Sequence, residues 1–238
     1  MIRLDGPSGS WDTLDKDVMG CRRCPRLVDW REQVAREKRR AYKDWTYWGK
    51  PVPGFGDREA RLLLIGLAPG AHGSNRIGRM FTGDSSGDTL FPALYRAGFA
   101  NQPNASDRND GMQLKDAYIT ALARCVPPGN KPVAEEINNC RPFLMQEIRL
   151  LRQVRIVLAL GGMAFNSYMR LLKELGHPPP RLKFHHGAWY NLGGELPILS
   201  ACYHPSRQNT QTGRLTEAML DEVFDRIRRE LAGQGGEL

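Results

Sequence analysis

The stretch RLLLIGLAPGAHGSNRIGRMFTGD, residues 61–84, decides the fold class. It begins with a short apolar run without polar alternation, the pattern of a strand buried on both faces in a parallel sheet. It then enters a loop holding five glycines, Gly66, Gly70, Gly73, Gly78 and Gly83. So many glycines let a backbone turn sharply and lie close to something else. The same short apolar run recurs as AYITALA at 117–123, VRIVLAL at 154–160 and LPILSAC at 196–202. Helical patterns lie between and after them, at about 86–98, 133–151, 163–175 and 215–232. Strands alternating with helices predict an α/β protein, an α/β/α sandwich around a parallel sheet. Sites in such sheets form from loops at the carboxyl ends of the strands. Those loops are residues 66–84, RCVPPGNKP at 124–132, GGMAF at 161–165 and YHPSRQNTQTGR at 203–214.

A chain of 238 residues predicts one well-buried domain, residues 1–238, with loose tails at about 1–10 and 232–238. No apolar run approaches the roughly 20 residues that span a bilayer. The start MIRLDGPSGSWD lacks the apolar core of a signal peptide, which predicts an intracellular protein with no membrane partner. The net charge of +8 favours a polyanionic partner, nucleic acid being the commonest. Residues 27–42, LVDWREQVAREKRRAY, read as a strongly basic helix, followed by an irregular aromatic stretch, DWTYWGKPVPGFGD.

The glycine loop is not a nucleotide cradle of the familiar kinds. Its glycines do not fit GxGxxG, and GSNRIGRM has the P-loop spacing but ends Arg79-Met80, without the lysine and hydroxyl that hold phosphate and magnesium. Five cysteines remain to be placed: Cys21, Cys24, Cys125, Cys140 and Cys202. Cys21 and Cys24 form a CxxC chelate, and Cys125 and Cys140 can complete four thiolates, suiting either tetrahedral zinc or an iron–sulfur cluster. Cys202 lies within an apolar run and reads as a small buried residue. His204 follows that run and is a candidate donor to an anion forming in a cavity, or simply a turn residue. Arg207, Gln208, Asn209, Gln211 and Arg214 make a polar, basic rim suited to phosphates and bases.

Four motifs, GLAPGAHGSNRIGRMFTGDSSGD, YWGKPVPGFGD, CVPPGNKP and HPSRQNTQTGRLT, together with the four cysteines, closely resemble the family 5 (B-type) uracil-DNA glycosylases over about residues 20–232. The resemblance implies the uracil-DNA glycosylase fold, a three-layer α/β/α sandwich with a four-stranded parallel sheet. It implies a [4Fe-4S] cluster on Cys21, Cys24, Cys125 and Cys140. It implies a monofunctional, monomeric base-excision-repair enzyme of the prokaryotic cytoplasm, associated with the nucleoid. Such an enzyme removes uracil, and hypoxanthine or other deaminated or modified bases, from double- and single-stranded DNA.

On this reading the glycine loop approaches a base extruded from the duplex. Gly66, Leu67, Ala68 and Gly70 wall the slot, Phe81 stacks on the base and Asn130 hydrogen-bonds the base edge or sugar. Many relatives in other families place an acid or amide where this chain has Ala68. Asp88 is the substitute acid, and Asp84 is assigned to capping the following helix. His204 stabilises the charge on the departing base. Ser206, Arg207, Gln208 and Asn209 contact the DNA. A non-catalytic iron–sulfur or zinc nucleic-acid-binding module is the alternative.

Overall fold

The computed structural model describes residues 9–233. The chain runs through α1 (Trp11–Met19), α2 (Pro25–Glu37), β1 (Phe55–Gly56), β2 (Leu62–Gly66) and α3 (Ser74–Ile77). It continues through α4 (Ser85–Arg96), β3 (Ala117–Ala121), α5 (Ala134–Leu150), β4 (Ile156–Leu160) and α6 (Gly162–Glu174). It ends with β5 (Ala188–Tyr190), β6 (Ile198–Cys202), α7 (Arg207–Gln211) and α8 (Glu217–Leu231). The strand order is β1-β3-β2-β4-β6-β5.

The four apolar runs form the parallel centre, β3-β2-β4-β6. The sheet as a whole has six strands and is mixed, which corrects the expected count of four. The two added strands are antiparallel edges, β1 on β3 and β5 on β6. They pair over two and three residues, too few to leave a periodic pattern, and short edge strands of this kind blunt an exposed sheet edge.

Side chains alternate across the sheet. Leu62, Leu64, Ile119, Ile156 and Leu158 face Leu90, Phe91 and Leu94 of α4 and Leu220, Phe224 and Ile227 of α8. Leu63, Ile65, Tyr118, Val157 and Leu199 face Leu144 and Ile148 of α5 and Phe165, Tyr168 and Leu171 of α6. Helices on both faces make the three-layer α/β/α sandwich. Between sheet and α5 lies a buried ion pair, Arg124 with Glu147, whose carboxylate also accepts from Thr120 Oγ1 at 2.6 Å and Tyr118 Oη at 3.4 Å.

Other expectations shift at element ends. The basic helix stops at Glu37, because Lys38 takes a positive φ of 55° that ends the helical path, and a 3₁₀ turn follows over Arg40–Tyr42. The expected tails lie almost wholly outside the described residues. Within them, Ser10 is not frayed: its side chain accepts from Thr13 N and caps α1. Among the described residues, no helix is long and apolar enough to cross a membrane.

Candidate active site and cysteine pocket

The connections leaving β2 and β4 run to opposite sides of the sheet, β2 to β3 and β4 to β6. That reversal opens a crevice at the carboxyl ends of these strands, and the glycine loop fills its edge. The carbonyls of Gly66 and Leu67 accept from Leu122 N at 3.1 Å and Ala123 N at 3.0 Å. Beyond them, the amides of Ala68, Gly70 and Ala71 donate to no acceptor among the described residues. They form a small set of unspent donors at the lip of the crevice.

Phe81 closes the loop. Its φ is +54°, uncommon and strained for a bulky residue, a cost that clusters at functional sites. Its ring lies over the Gly66 backbone, where a Cβ would come within 2.9 Å of ring carbons. Only glycine at 66 lets the ring sit there. Phe81 is 8% exposed and belongs to the core beneath as well as to the site.

His204 arrives from the loop after β6. Gly161 N donates to Cys202 O at 2.8 Å, which joins the ends of β4 and β6 under it. The His204 carbonyl accepts from Ser206 N at 2.7 Å and from Asn209 Nδ2 at 2.8 Å. These bonds fix the backbone, so the ring is placed by a rigid turn. The imidazole stacks on Phe81, centroids 5.8 Å apart and planes 28° from parallel. Burial in this recess pushes its pKa down to about 4, so the ring is neutral at physiological pH.

The acids are arranged less simply than their order suggests. Asp84 does cap α4: Oδ1 accepts from Ser86 N at 3.0 Å and Gly87 N at 3.2 Å. Its other oxygen, Oδ2, lies against the glycine loop, 2.7 Å from where a Cβ on Gly70 would be, and a Cβ on Gly73 would overlap it. Burial raises the Asp84 pKa, opposed by the two cap amides. Asp88, one turn along α4, is exposed, and partial desolvation raises its pKa too.

Of the rim residues, Ser206 and Asn209 are used locally: Ser206 Oγ caps α7 by accepting from Asn209 N at 3.5 Å. Arg207 and Gln208 point to solvent. Asn130 is exposed on a 3₁₀ turn with φ +57°, a conformation asparagine tolerates well. A surface cleft of about 720 Å³ lies between α2 and residues 47–50, lined by Arg22, Arg36, Tyr47, Trp48 and Lys50. Its wall is attached to the glycine loop through Trp48 N to Arg76 O, 2.8 Å, and Gly49 N to Asn75 O, 3.0 Å.

Cys21, Cys24, Cys125 and Cys140 line one enclosed pocket with Arg31, Arg124 and Phe143, and none is in a disulfide. Arg31 Nη1 donates to Cys125 Sγ at 3.0 Å, Asn139 Nδ2 to Cys24 Sγ at 3.5 Å, and the Arg124 amide is directed at Cys140. Arg31 Nε and Arg124 Nε and Nη1 are buried without a hydrogen-bond partner among the described residues. Burial pushes the Cys125 thiol up to about 12, so it ionises only with help. Four free thiols beside unmet positive charge fit an anionic metal–thiolate group. Among the described residues, no three His, Cys, Asp or Glu side chains form a single-ion site. Cys202 is fully buried away from this pocket, in β6. Arg31 and Arg124 escaped the sequence reading, because no spacing rule marks a buried guanidinium.

Sandwich and strand-end loops define the class: an α/β/α protein whose glycine loop and His204 turn meet at the carboxyl edge of its sheet, joined by the Phe81–His204 stack. The chain belongs to the Uracil DNA glycosylase superfamily, whose sequence profile matches residues 53–228. A type-5 uracil-DNA glycosylase of Mycobacterium leprae is 52% identical over 231 residues, 97% of this chain and 99% of that protein. One of Thermus thermophilus is 51% identical, covering 91% of this chain and 95% of its own. One of Pyrobaculum aerophilum is 42% identical over 99% and 98%.

Proposed function

We propose that this chain excises uracil from DNA by hydrolysing the N-glycosidic bond, leaving an abasic site, and acts as a single-domain monomer at the nucleoid. The observation that carries the mechanism is the Phe81–His204 stack over Gly66, with unspent loop amides beside it. The extruded base lies on Phe81, edged by Gly66, Leu67, Ala68 and Gly70, with Asn130 at the base edge or sugar. As the bond from C1′ to the base nitrogen breaks, the electron pair leaves with the base and its oxygen gains charge. A ring N–H of neutral His204 and the loop amides donate to that oxygen. One such donor in a dry site contributes on the order of 3 kcal/mol.

Water attacks C1′ and passes its proton to a carboxylate. Asp84, whose Oδ2 faces the loop, is the carboxylate we assign to the water; Asp88, one turn along α4, offsets the positive sugar. Arg207 and Gln208 reach phosphates, supported by Ser206 and Asn209, and the basic cleft of Arg36 and Lys50 extends the path of the strand, double or single. With alanine at 68, selection rests on slot shape and ease of extrusion, which favours a range extending to hypoxanthine and related damaged bases.

Cys21, Cys24, Cys125 and Cys140 hold a [4Fe-4S] cluster, a choice supported by the family resemblance. When bound, the cluster supplies folding free energy, tying the segment before α2 to the loop after β3 and to α5.

A single-uracil oligonucleotide incubated with the protein and then treated with alkali tests the reading. Strand scission is expected, lost by at least about 100-fold with Asp84→Asn and less with Asp88→Asn; tight binding without scission overturns catalysis and leaves a binding module. Gly66→Ala is expected to push the Phe81 ring aside and lower kcat/KM for uracil release about tenfold with a native circular dichroism spectrum. Undiminished release by that variant removes the stack from the mechanism.

A further inference from the structure

Arg76, at 4% exposed, is among the most buried charges in the chain, and the mechanism above does not use it. It sits in α3 between the two ends of the glycine loop. Nε donates to His72 O at 2.7 Å and Nη2 to Gly83 O at 3.2 Å, while Nη1 has no hydrogen-bond partner among the described residues. Its guanidinium carbon lies 3.9 Å from the Tyr42 ring centroid and 4.1 Å from that of Trp45. These two rings come from the irregular basic segment after α2, and they meet edge to face, centroids 6.2 Å apart. Planar guanidinium stacks on aromatic faces while forking two hydrogen bonds, which lysine cannot do.

We infer that Arg76 is a positioning residue of the glycosylase reaction: held by Tyr42 and Trp45, it ties the glycine loop to the Asp84 turn and supplies positive charge facing that carboxylate. The inference rests on the role given to Asp84 above. The groups facing Asp84 are few. From α4 come Asp88 and the amides of Ser86 and Gly87, and from α3 comes Arg76. The loop contributes Gly70 and Gly73, which carry no charge, and His72, whose carbonyl accepts from Arg76 and whose ring burial and nearby arginines keep from protonating. Against burial and a neighbouring acid, both of which favour the protonated form, Arg76 and the cap amides favour the ionised one. A water-activating carboxylate must be ionised to accept a proton, so this balance sets the acid side of the pH profile.

The experiment is the pH dependence of kcat/KM on the uracil oligonucleotide for wild type, Arg76→Gln, Arg76→Lys and Trp45→Ala, with DNA affinity and circular dichroism measured beside it. Arg76→Gln is expected to move the acid limb to higher pH, by less than a contacting ion pair would give, because Arg76 bonds Gly83 O beside Asp84 and not its carboxylate. Activity at pH 6 then falls further than at pH 8. Arg76→Lys keeps the limb near its wild-type position and lowers kcat uniformly through the lost fork. Trp45→Ala, which loosens the guanidinium without removing its charge, covers the case in which Arg76→Gln does not fold. It should move the limb in the same direction by less. An unmoved limb in Arg76→Gln, or in Trp45→Ala if the first variant is unfolded, makes Arg76 a purely structural clasp and overturns the inference. Asp84→Asn separates the two readings. If it retains full activity, the role of Asp84 fails; if it loses activity while Arg76→Gln keeps the wild-type limb, only the role of Arg76 fails.

Discussion

His204→Ala is expected to lower the rate of uracil release by about 10²- to 10³-fold while leaving DNA affinity nearly unchanged. The number is that of a single preorganised donor removed from a developing oxyanion. The split between rate and affinity follows from where the charge is. In the bound ground state the base is neutral and gains little from the imidazole; only as the glycosidic bond breaks does its oxygen need a donor. Single-turnover release from a uracil oligonucleotide reads the rate, and fluorescence anisotropy with an abasic-site duplex reads the affinity. A variant that loses both in proportion would make His204 a binding residue.

The imidazole also predicts a pH behaviour. Burial holds its pKa at about 4, below the ordinary 6.5 of the unfolded chain. It therefore stays neutral through the working range, and its titration puts no limb in the rate profile above about pH 5. Any acid limb there belongs to the carboxylates, whose pKa values burial raises. For stability the sign is the reverse of a salt-bridged histidine. Between pH 6.5 and about 4 the unfolded chain takes up a proton that the folded ring refuses, so His204 lowers stability as pH falls through that window. His204→Ala removes this penalty, and its Tm should fall less steeply than wild type between pH 6.5 and 5.

The central sheet was legible because its strands are buried on both faces and therefore write themselves as unbroken apolar runs, as Leu62–Ile65 does. The loops proposed to carry the chemistry follow those runs, so the strand-end positions of His204, Phe81 and the glycine loop were legible too. What stayed hidden has a common physical character: it is set by contacts between distant segments. Two edge strands of two and three residues exist only because β3 and β6 offer free edges. Asp84 was legible as a cap, yet nothing in TGDSSGD says that its second oxygen rests on Gly70 and Gly73. Arg76 reads as one basic residue among many until Tyr42 and Trp45 fold back over it. The basic helix was drawn too long for the same reason, since the chain leaves helical geometry at Lys38 to bring those rings round.

Cys125→Ser is expected to cost about 3–5 kcal/mol of stability and to empty the cysteine pocket of metal, far more than a buried thiol-to-hydroxyl change elsewhere. Cys125 is 7% exposed, and its sulfur accepts from Arg31 Nη1. Arg31 is itself 2% exposed, and its nearest carboxylate, Glu32, is 3.7 Å away and already engaged with Arg22 at 2.5 Å. Arg124 is paired with Glu147 through one nitrogen and leaves two others unmet beside the same pocket. On the proposed metal-bound reading, Arg31 and the unmet N–H groups of Arg124 face the negative charge of four metal-bound thiolates. Removing one proposed ligand weakens metal binding, and without metal the remaining sulfurs are neutral thiols, since burial raises the Cys140 thiol. Arg31 is then left without a compensating charge in contact, and Arg124, still paired with Glu147, keeps two buried N–H groups unmet, which is why one atom has so large an effect. For a chain of this size the fall in Tm is about 6–20 °C. Thermal unfolding, with iron, acid-labile sulfide and zinc assayed in the same samples, checks both halves. Iron and sulfide in equal amounts in the wild type, and absent from Cys125→Ser, support the cluster. Zinc alone removes the iron–sulfur assignment, and an unchanged Tm with full metal removes Cys125 from the ligand set.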